Sequence, residues 1–278
     1  MKASKIFVSV LSVVFVAALS LIIVQPALAD ETSVVISDSQ GGGDCYKVGK
    51  WDATTKTCKL TEDIDLSQVG GDGITIVSDG ITLLCNGHSI AGDAVGDGVL
   101  SDLVYGILAE GVSGVTIKYC NVHNFYVGIE IRGGGYNTVK NNSTDFNGFG
   151  IDLSDSYSNT VNNNTAASNL AGIYLYYSDY NTVNNNTADF NTLDTLGMGI
   201  VLQGSDYNTV NNNTANSNAY AGIFLAGSDY NTVNNDTADS IDLENSDYNT
   251  VNNNTACFSS GTNSTDNTHK HNECSSNF

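Results

Sequence analysis

Proline is nearly missing from this chain of 278 residues, the single copy being Pro26. Arginine also occurs once, as Arg132, and charged residues of all kinds make up only 14%. Each scarcity excludes something. Without proline there is no proline-rich stalk or stiff linker. Ten basic residues against thirty acidic ones give a net charge of -20, so no basic footprint exists to displace counterions from phosphate. Nucleic acid and anionic membrane surfaces are therefore excluded as partners. Disorder is excluded too, because 41% of the residues are hydrophobic and low charge accompanies them. Beyond the first 29 residues no apolar spacing of 3.6 is sustained, which removes the helical classes.

What is abundant is asparagine: 35 copies, 34 of them after residue 120. Glycine adds 28 and tyrosine 14. The first segment stands apart from this composition. Lys2 and Lys5, the apolar run Ile6 to Val24, and Ala27-Leu28-Ala29 have the layout of a secretory signal peptide over residues 1–29. Cleavage there leaves a charge of -22, eight basic against thirty acidic residues, and no second apolar stretch. The expectation is an exported protein at the cell surface, in the periplasm or outside the cell, with no membrane span after cleavage.

The remainder is a repeat. Tyr136-Asn137-Thr138-Val139 returns at Ser158 to Val161, Tyr180 to Val183, Tyr207 to Val210, Tyr230 to Val233 and Tyr248 to Val251. The steps between its asparagines are 22, 22, 27, 23 and 18 residues. A Gly-Ile-x-Leu-like segment keeps the same beat from Gly128 onward. A fixed period of this length signals a solenoid, and short alternating segments broken by Gly, Ser, Asp and Asn signal strands with turns. About 22 residues supply three short strands and three turns, one coil of a parallel β-helix. Coils stack about 4.8 Å apart, so each sequence column becomes a physical ladder. Ile129, Ile151, Ile173, Ile200 and Ile223 are expected as one interior column, and Val139 to Val251 as another. In the Asn triplets, such as Asn162 to Asn164, one amide is expected to turn inward and pair with the next coil. Another is expected to take the left-handed turn conformation.

Segments such as Ser78 to Ile90, with Cys85-Asn86-Gly87-His88 inside it, Gly114 to Val122, and the Asn-Thr-Val-Asn-Asn-Asn-Thr-Ala units resemble secreted right-handed parallel β-helix repeat proteins. These are the NosD-like group of the pectin-lyase-like superfamily, and the resemblance covers about residues 44–257. It implies an all-β, single-stranded right-handed parallel β-helix of roughly nine to ten coils. The expected layout is a cap region at 30–59, the helix at 60–256 and a C-terminal tail at 257–278. The resemblance specifies fold far more than activity. An Asp-Pro-His motif, used by alginate-epimerase-like members, is absent, as are polygalacturonase-like signatures.

An even cysteine count in an exported chain favours disulfides. Cys45 with Cys58 would tie the N-terminal region and Cys257 with Cys274 the tail. Cys85 and Cys120 stand in matching contexts and would meet between coils. Free buried thiols are one alternative and a Cys2His2 metal site with His88 and His123 another, the latter weakened because x-x spacing on a strand sends Cys and His to opposite faces. No metal site is assigned.

Between the apolar residues of Gly-Ile-x-Leu lies an outward column: Glu130, Asp152, Tyr174, Val201, Phe224 and Asp242. Two residues on come Arg132, Ser154, Tyr176, Gln203, Ala226 and Glu244. The expectation is a solvated stripe. Within it, Glu130 and Asp152 are the candidate paired carboxylates, with Arg132 beside them, if the protein is an enzyme. Tyr174, Tyr176 and Phe224 are candidate carbohydrate contacts. Calcium is the one cofactor the stacked carboxylates admit. The column Tyr136, Tyr180, Tyr207, Tyr230 and Tyr248 is read as a self-stabilising ring ladder rather than a sugar platform. Asn-x-Ser/Thr triplets recur at the Asn corner; burial there is expected to leave few open to modification.

Two functions stay open. One is a non-catalytic module that binds extracellular polysaccharide or cell-surface components, or builds a surface layer. The other is a lyase, C5-epimerase or hydrolase acting on acidic polysaccharide.

Overall fold

The computed structural model describes residues 33–68, 70–93, 103–192, 195–261 and 263–274; the expected signal peptide lies outside them. One short helix, Cys45–Val48, is followed by a hairpin of Gly49–Asp52 and Thr57–Leu60. Every other strand ladder is parallel. The described strands form three sheets, and successive coils contribute to each in turn.

The first sheet runs from Val34–Ile36 through Tyr105–Glu110, Val127–Arg132, Phe149–Ser154, Ala171–Tyr176, Met198–Gln203 and Ala221–Ala226 to Thr237–Glu244. The second carries the Thr-Val-Asn strands, from Thr82–Leu84 through Thr138–Lys140 and Thr182–Asn184 to Thr268–Lys270. The third holds Ile64–Asp65, Ser89–Ala91, Asn121–His123 and Ser143–Asp145 and continues as single bridges at Thr165, Thr187 and Thr214. No described helix is long and apolar enough to cross a membrane.

Register follows the repeat. Ile129 pairs with Ile151, Ile151 with Ile173, Ile173 with Ile200 and Ile200 with Ile223, and all five are buried in one hydrophobic cluster. The Val139 to Val251 column does the same on the second sheet. Branched aliphatic residues fill these columns because each stacks on its own kind across strands about 4.8 Å apart.

Asparagine holds the corners. The third residue of each triplet points inward: the Asn164 Nδ2 donates to Val139 O at 2.9 Å and to Asn186 Oδ1 at 3.0 Å, and its backbone N–H donates to the same oxygen at 2.9 Å. Asn142, Asn164, Asn186 and Asn213 repeat this pattern. Two further ladders exist. Asn137, Asn159, Asn181, Asn208, Asn231 and Asn249 form one, and Asn147, Asn169, Asn191 and Asn218 the other. Each amide satisfies backbone groups that a tight corner would otherwise bury unpaired. In the triplet ladder Asp236 replaces Asn, and burial pushes its carboxyl up to about 7 against the hydrogen bonds from Asn213 and Asn234.

Left-handed residues make the turns. Tyr180, Tyr207, Tyr230 and Tyr248 have φ between 57° and 59°. Their rings stack face to face at 5.0–5.1 Å with interplanar angles of 4–7°, so the coil rise itself sets the stacking distance. Tyr136 is the exception. Ser158 interrupts the column, and Tyr136 instead meets Tyr157 edge-on at 5.8 Å. Disulfides join Cys45 to Cys58, Cys85 to Cys120 and Cys257 to Cys274.

Candidate functional site

The outer face of the first sheet is not the solvated stripe its alternation predicts. Glu130 is 2% exposed, Asp152 7% and Tyr174 1%. The face changes character at the glycine two residues before Glu130 and Asp152. Between the pairs Val127↔Phe149 and Ile129↔Ile151 the pairing is interrupted at Gly128 and Gly150, with the offset of 22 residues kept on both sides. A Cβ on Gly150 would stand 2.5 Å from Gly172 O and one on Gly128 2.7 Å from Gly150 O. Only glycine permits this approach. The residue before it is thereby left outside the interior cluster, so Tyr105, Val127, Phe149 and Met198 are buried without belonging to that cluster. Together with Leu108, Tyr174 and Val201 they form a second apolar layer on the outer face.

The candidate acid pair sits in this layer. Glu130 and Asp152 are register partners in adjacent coils. Arg132 donates from Nε to Glu130 Oε1 at 2.6 Å and from Nη2 to Tyr105 Oη at 2.6 Å, with Glu110 Oε1 3.7 Å from Nη1. Its guanidinium also lies 5.0 Å from the Tyr105 ring centroid, a cation–π distance. Ser154 Oγ donates to Asp152 Oδ1 at 3.2 Å.

Burial dominates the electrostatics. It pushes the Glu130 carboxyl up to about 7, with Arg132 pulling the other way. Burial and then the Glu130 charge raise Asp152 well above the carboxylate range. Tyr105 is pushed up to about 12, again by burial first and Glu130 second. Two acids this close in a dry site share protons as a pair rather than titrating singly.

The predicted aromatic contacts divide. Tyr174 is a support: its ring stacks on Tyr176 at 6.0 Å and lies tilted against Phe149 at 5.2 Å, and its hydroxyl donates to Gln203 Oε1 at 2.6 Å. Tyr176 and Phe224 are half-buried and keep ring surface available. Exposed Tyr177 lies against Tyr176 at 4.4 Å, and Tyr220 against Phe224 at 5.9 Å. Sequence reasoning missed Tyr105, Phe149 and Tyr126; the first two carry the signal of standing just before a glycine, and Tyr126 stands two residues before Gly128. Of the inserted segment Thr192 to Gly197, residues 193 and 194 lie outside the described ones.

Metal ligation finds no support among the described residues, where no group of three or more His, Cys, Asp or Glu side chains is arranged to hold an ion. Cys85 and Cys120 are joined, so the alternative Cys2His2 site does not form. His88 Nδ1 faces Asp63 Oδ1 at 3.0 Å and His123 Nε2 faces Ser89 Oγ at 2.9 Å.

Comparison with known proteins agrees with this architecture. The family described as "Right handed beta helix region" matches residues 84–238. No curated protein matches the chain. Among solved structures, the full-length tailspike protein 2 of an Escherichia coli O157:H7 bacteriophage is similar with a TM-score of 0.56 at 15% identity, covering 72% of this chain and 31% of that one. The chain thus spans about a third of that tailspike. An alginate lyase from Paenibacillus sp. str. FPU-7 gives a TM-score of 0.54 at 13% identity, covering 77% and 95% of the two chains. The periplasmic alginate epimerase AlgG gives 0.54 at 16%, covering 80% and 62%. These likenesses are of fold.

Proposed function

Because the chain belongs to the right-handed β-helix family, we propose that it is an exported, non-catalytic module that binds extracellular carbohydrate on the outer face of its first sheet. The observation that carries this reading is the commitment of Arg132. A catalyst acting on a uronate polymer needs a cation free to meet the substrate carboxylate and a base open to the sugar. Arg132 is instead engaged by Glu130, Tyr105 and Glu110, and Glu130 and Asp152 are buried beside it. The only arginine in the chain thus neutralises the protein's own acids. Contact with sugar falls to Tyr176 and Phe224, which lie in coils two apart, about 10 Å along the stack at the usual strand spacing. Aromatic rings so spaced suit the apolar faces of sugars. Three disulfides fit an oxidising compartment.

A second reading is a lyase, C5-epimerase or hydrolase on acidic polysaccharide. One observation favours it: a carboxyl held near 7 beside a second acid is poised as a general acid or base. Two fold relatives carry the names alginate lyase and alginate epimerase. Retention of the protein on immobilised polysaccharides, compared with Tyr176→Ala and Phe224→Ala, tests the binding reading. Retention lost in both variants supports it; retention equal to wild type on every polymer, or none at all, removes it.

A further inference from the structure

The second residue of each Asn triplet makes up a column that none of the above uses. Asn141, Asn163, Asn185, Asn212, Asn235 and Asn253 all have φ between 53° and 57°, and each N–H donates to the carbonyl of the next coil, as Asn163 does to Asn184 O at 3.2 Å. Their side chains point away from the core. Five of the six are exposed and Asn141 is partly so, which overturns the expectation that burial closes this corner. Every one is followed two residues later by Ser or Thr: Ser143, Thr165, Thr187, Thr214, Thr237 and Thr255.

Turn geometry alone does not account for this pattern. The same left-handed position is held by Tyr119 in the coil before Asn141 and by His271 in the coil after Asn253, with φ of 58° and 53°. Asparagine is therefore not demanded by the backbone, and the hydroxyl residue two places on is not demanded by the turn.

We propose that this corner is a column of N-glycosylation acceptors, the ligand class being a lipid-linked oligosaccharide presented by a membrane glycosyltransferase during export. In the transfer, the asparagine Nδ2 loses a proton and forms a bond to the sugar C1. The C1–O bond to the lipid pyrophosphate breaks, and the pyrophosphate leaves. Transfer precedes folding, so what the fold decides is which glycans it tolerates. A glycan on an exposed corner leaves every ladder intact. Adjacent acceptors are about 4.8 Å apart, too close for bulky glycans on every coil, so one molecule carries fewer glycans than it has acceptors.

The chain contains its own control. Asn142-Ser143-Thr144 is also an acceptor triplet, but Asn142 is buried and its Nδ2 donates to Ile117 O at 3.1 Å and Asn164 Oδ1 at 3.0 Å. A glycan there would break the ladder. The test is glycopeptide mass spectrometry of the full-length protein recovered folded from the cells that naturally make it. Expected are glycans on the exposed corner and none on Asn142. A second measurement maps the glycopeptides of Thr187→Val and Thr237→Val made in the same cells, where any glycan carried on Asn185 or Asn235 in the parent should disappear while neighbouring corners keep theirs. Unmodified corner peptides, a glycan on Asn142 in folded protein, or a glycan persisting on Asn185 or Asn235 in these variants would overturn the proposal.

Discussion

Glu130 and Asp152 face each other across adjacent coils and are both withdrawn from water, an arrangement in which the acids bind protons more tightly folded than unfolded. Their folded pKa values are raised, to about 7 for Glu130. A raised acid contributes stability that is complete below its unfolded pKa, about 4.3 for a glutamate, and is lost as pH rises through the folded value. The melting temperature should therefore fall between about pH 4.5 and 7.5 through this pair, and Asp152→Asn should flatten that fall. Thermal unfolding across pH for both proteins checks it.

Asp236 gives a separable version of the same effect. It sits in the triplet ladder where the neighbouring coils have Asn213 and Asn254, accepting from Asn213 at 2.7 and 2.9 Å. Asp236→Asn would restore the two donors of the ladder. Each tenfold change in proton affinity is worth about 1.4 kcal/mol, so at pH 8 the substitution should stabilise the protein by a few kcal/mol. At pH 4 the gain should be much smaller. Chemical denaturation at the two pH values separates the outcomes.

The Asn ladders should be costly to break. Asn186 accepts two hydrogen bonds from Asn164 and donates to Val161 O and Asn213 Oδ1. Asn186→Leu leaves those groups buried and unpaired, at about 3 kcal/mol or more. Asn185→Gly, one residue away but exposed and in a left-handed turn that glycine also adopts, should cost under about 1 kcal/mol. Equal melting temperatures for the two variants would contradict the ladder account.

Tyr207 stacks between Tyr180 and Tyr230. At about 0.5–1.5 kcal/mol for each aromatic pair, Tyr207→Ala should cost about 1–3 kcal/mol, and Tyr136→Ala, with one edge contact, less. Because neighbouring tyrosines cover both faces of Tyr207, its replacement should leave retention on polysaccharide unchanged, unlike that of Tyr176.

Much of this fold is legible in the chain because stacking makes each column repeat. The Ile129 and Val139 columns and one inward asparagine in each triplet follow from spacing, and the three cysteine pairs from an even count in a chain read as exported. The outer face did not follow, because reading alternate residues as in and out fails at Gly128 and its counterparts, where the pairing is interrupted. There Phe149 packs against Tyr174 on the same outer face that buries Asp152. The ladder through Asn147, Asn169, Asn191 and Asn218 was hidden differently. Its members share no flanking motif, and only the steps of 22, 22 and 27 residues, identical to those of the Tyr-Asn-Thr-Val repeat, reveal it.

On the proposed function, the Glu130, Arg132 and Asp152 cluster is closed upon itself and does no chemistry on a bound polymer. Incubation with a panel of uronate polymers, read for unsaturated ends, new reducing ends and C5 inversion, tests it most directly when Arg132→Ala is run in parallel. Expected is retention of polymer with no chemical change in either protein. Turnover by the wild type that disappears in Arg132→Ala would contradict it.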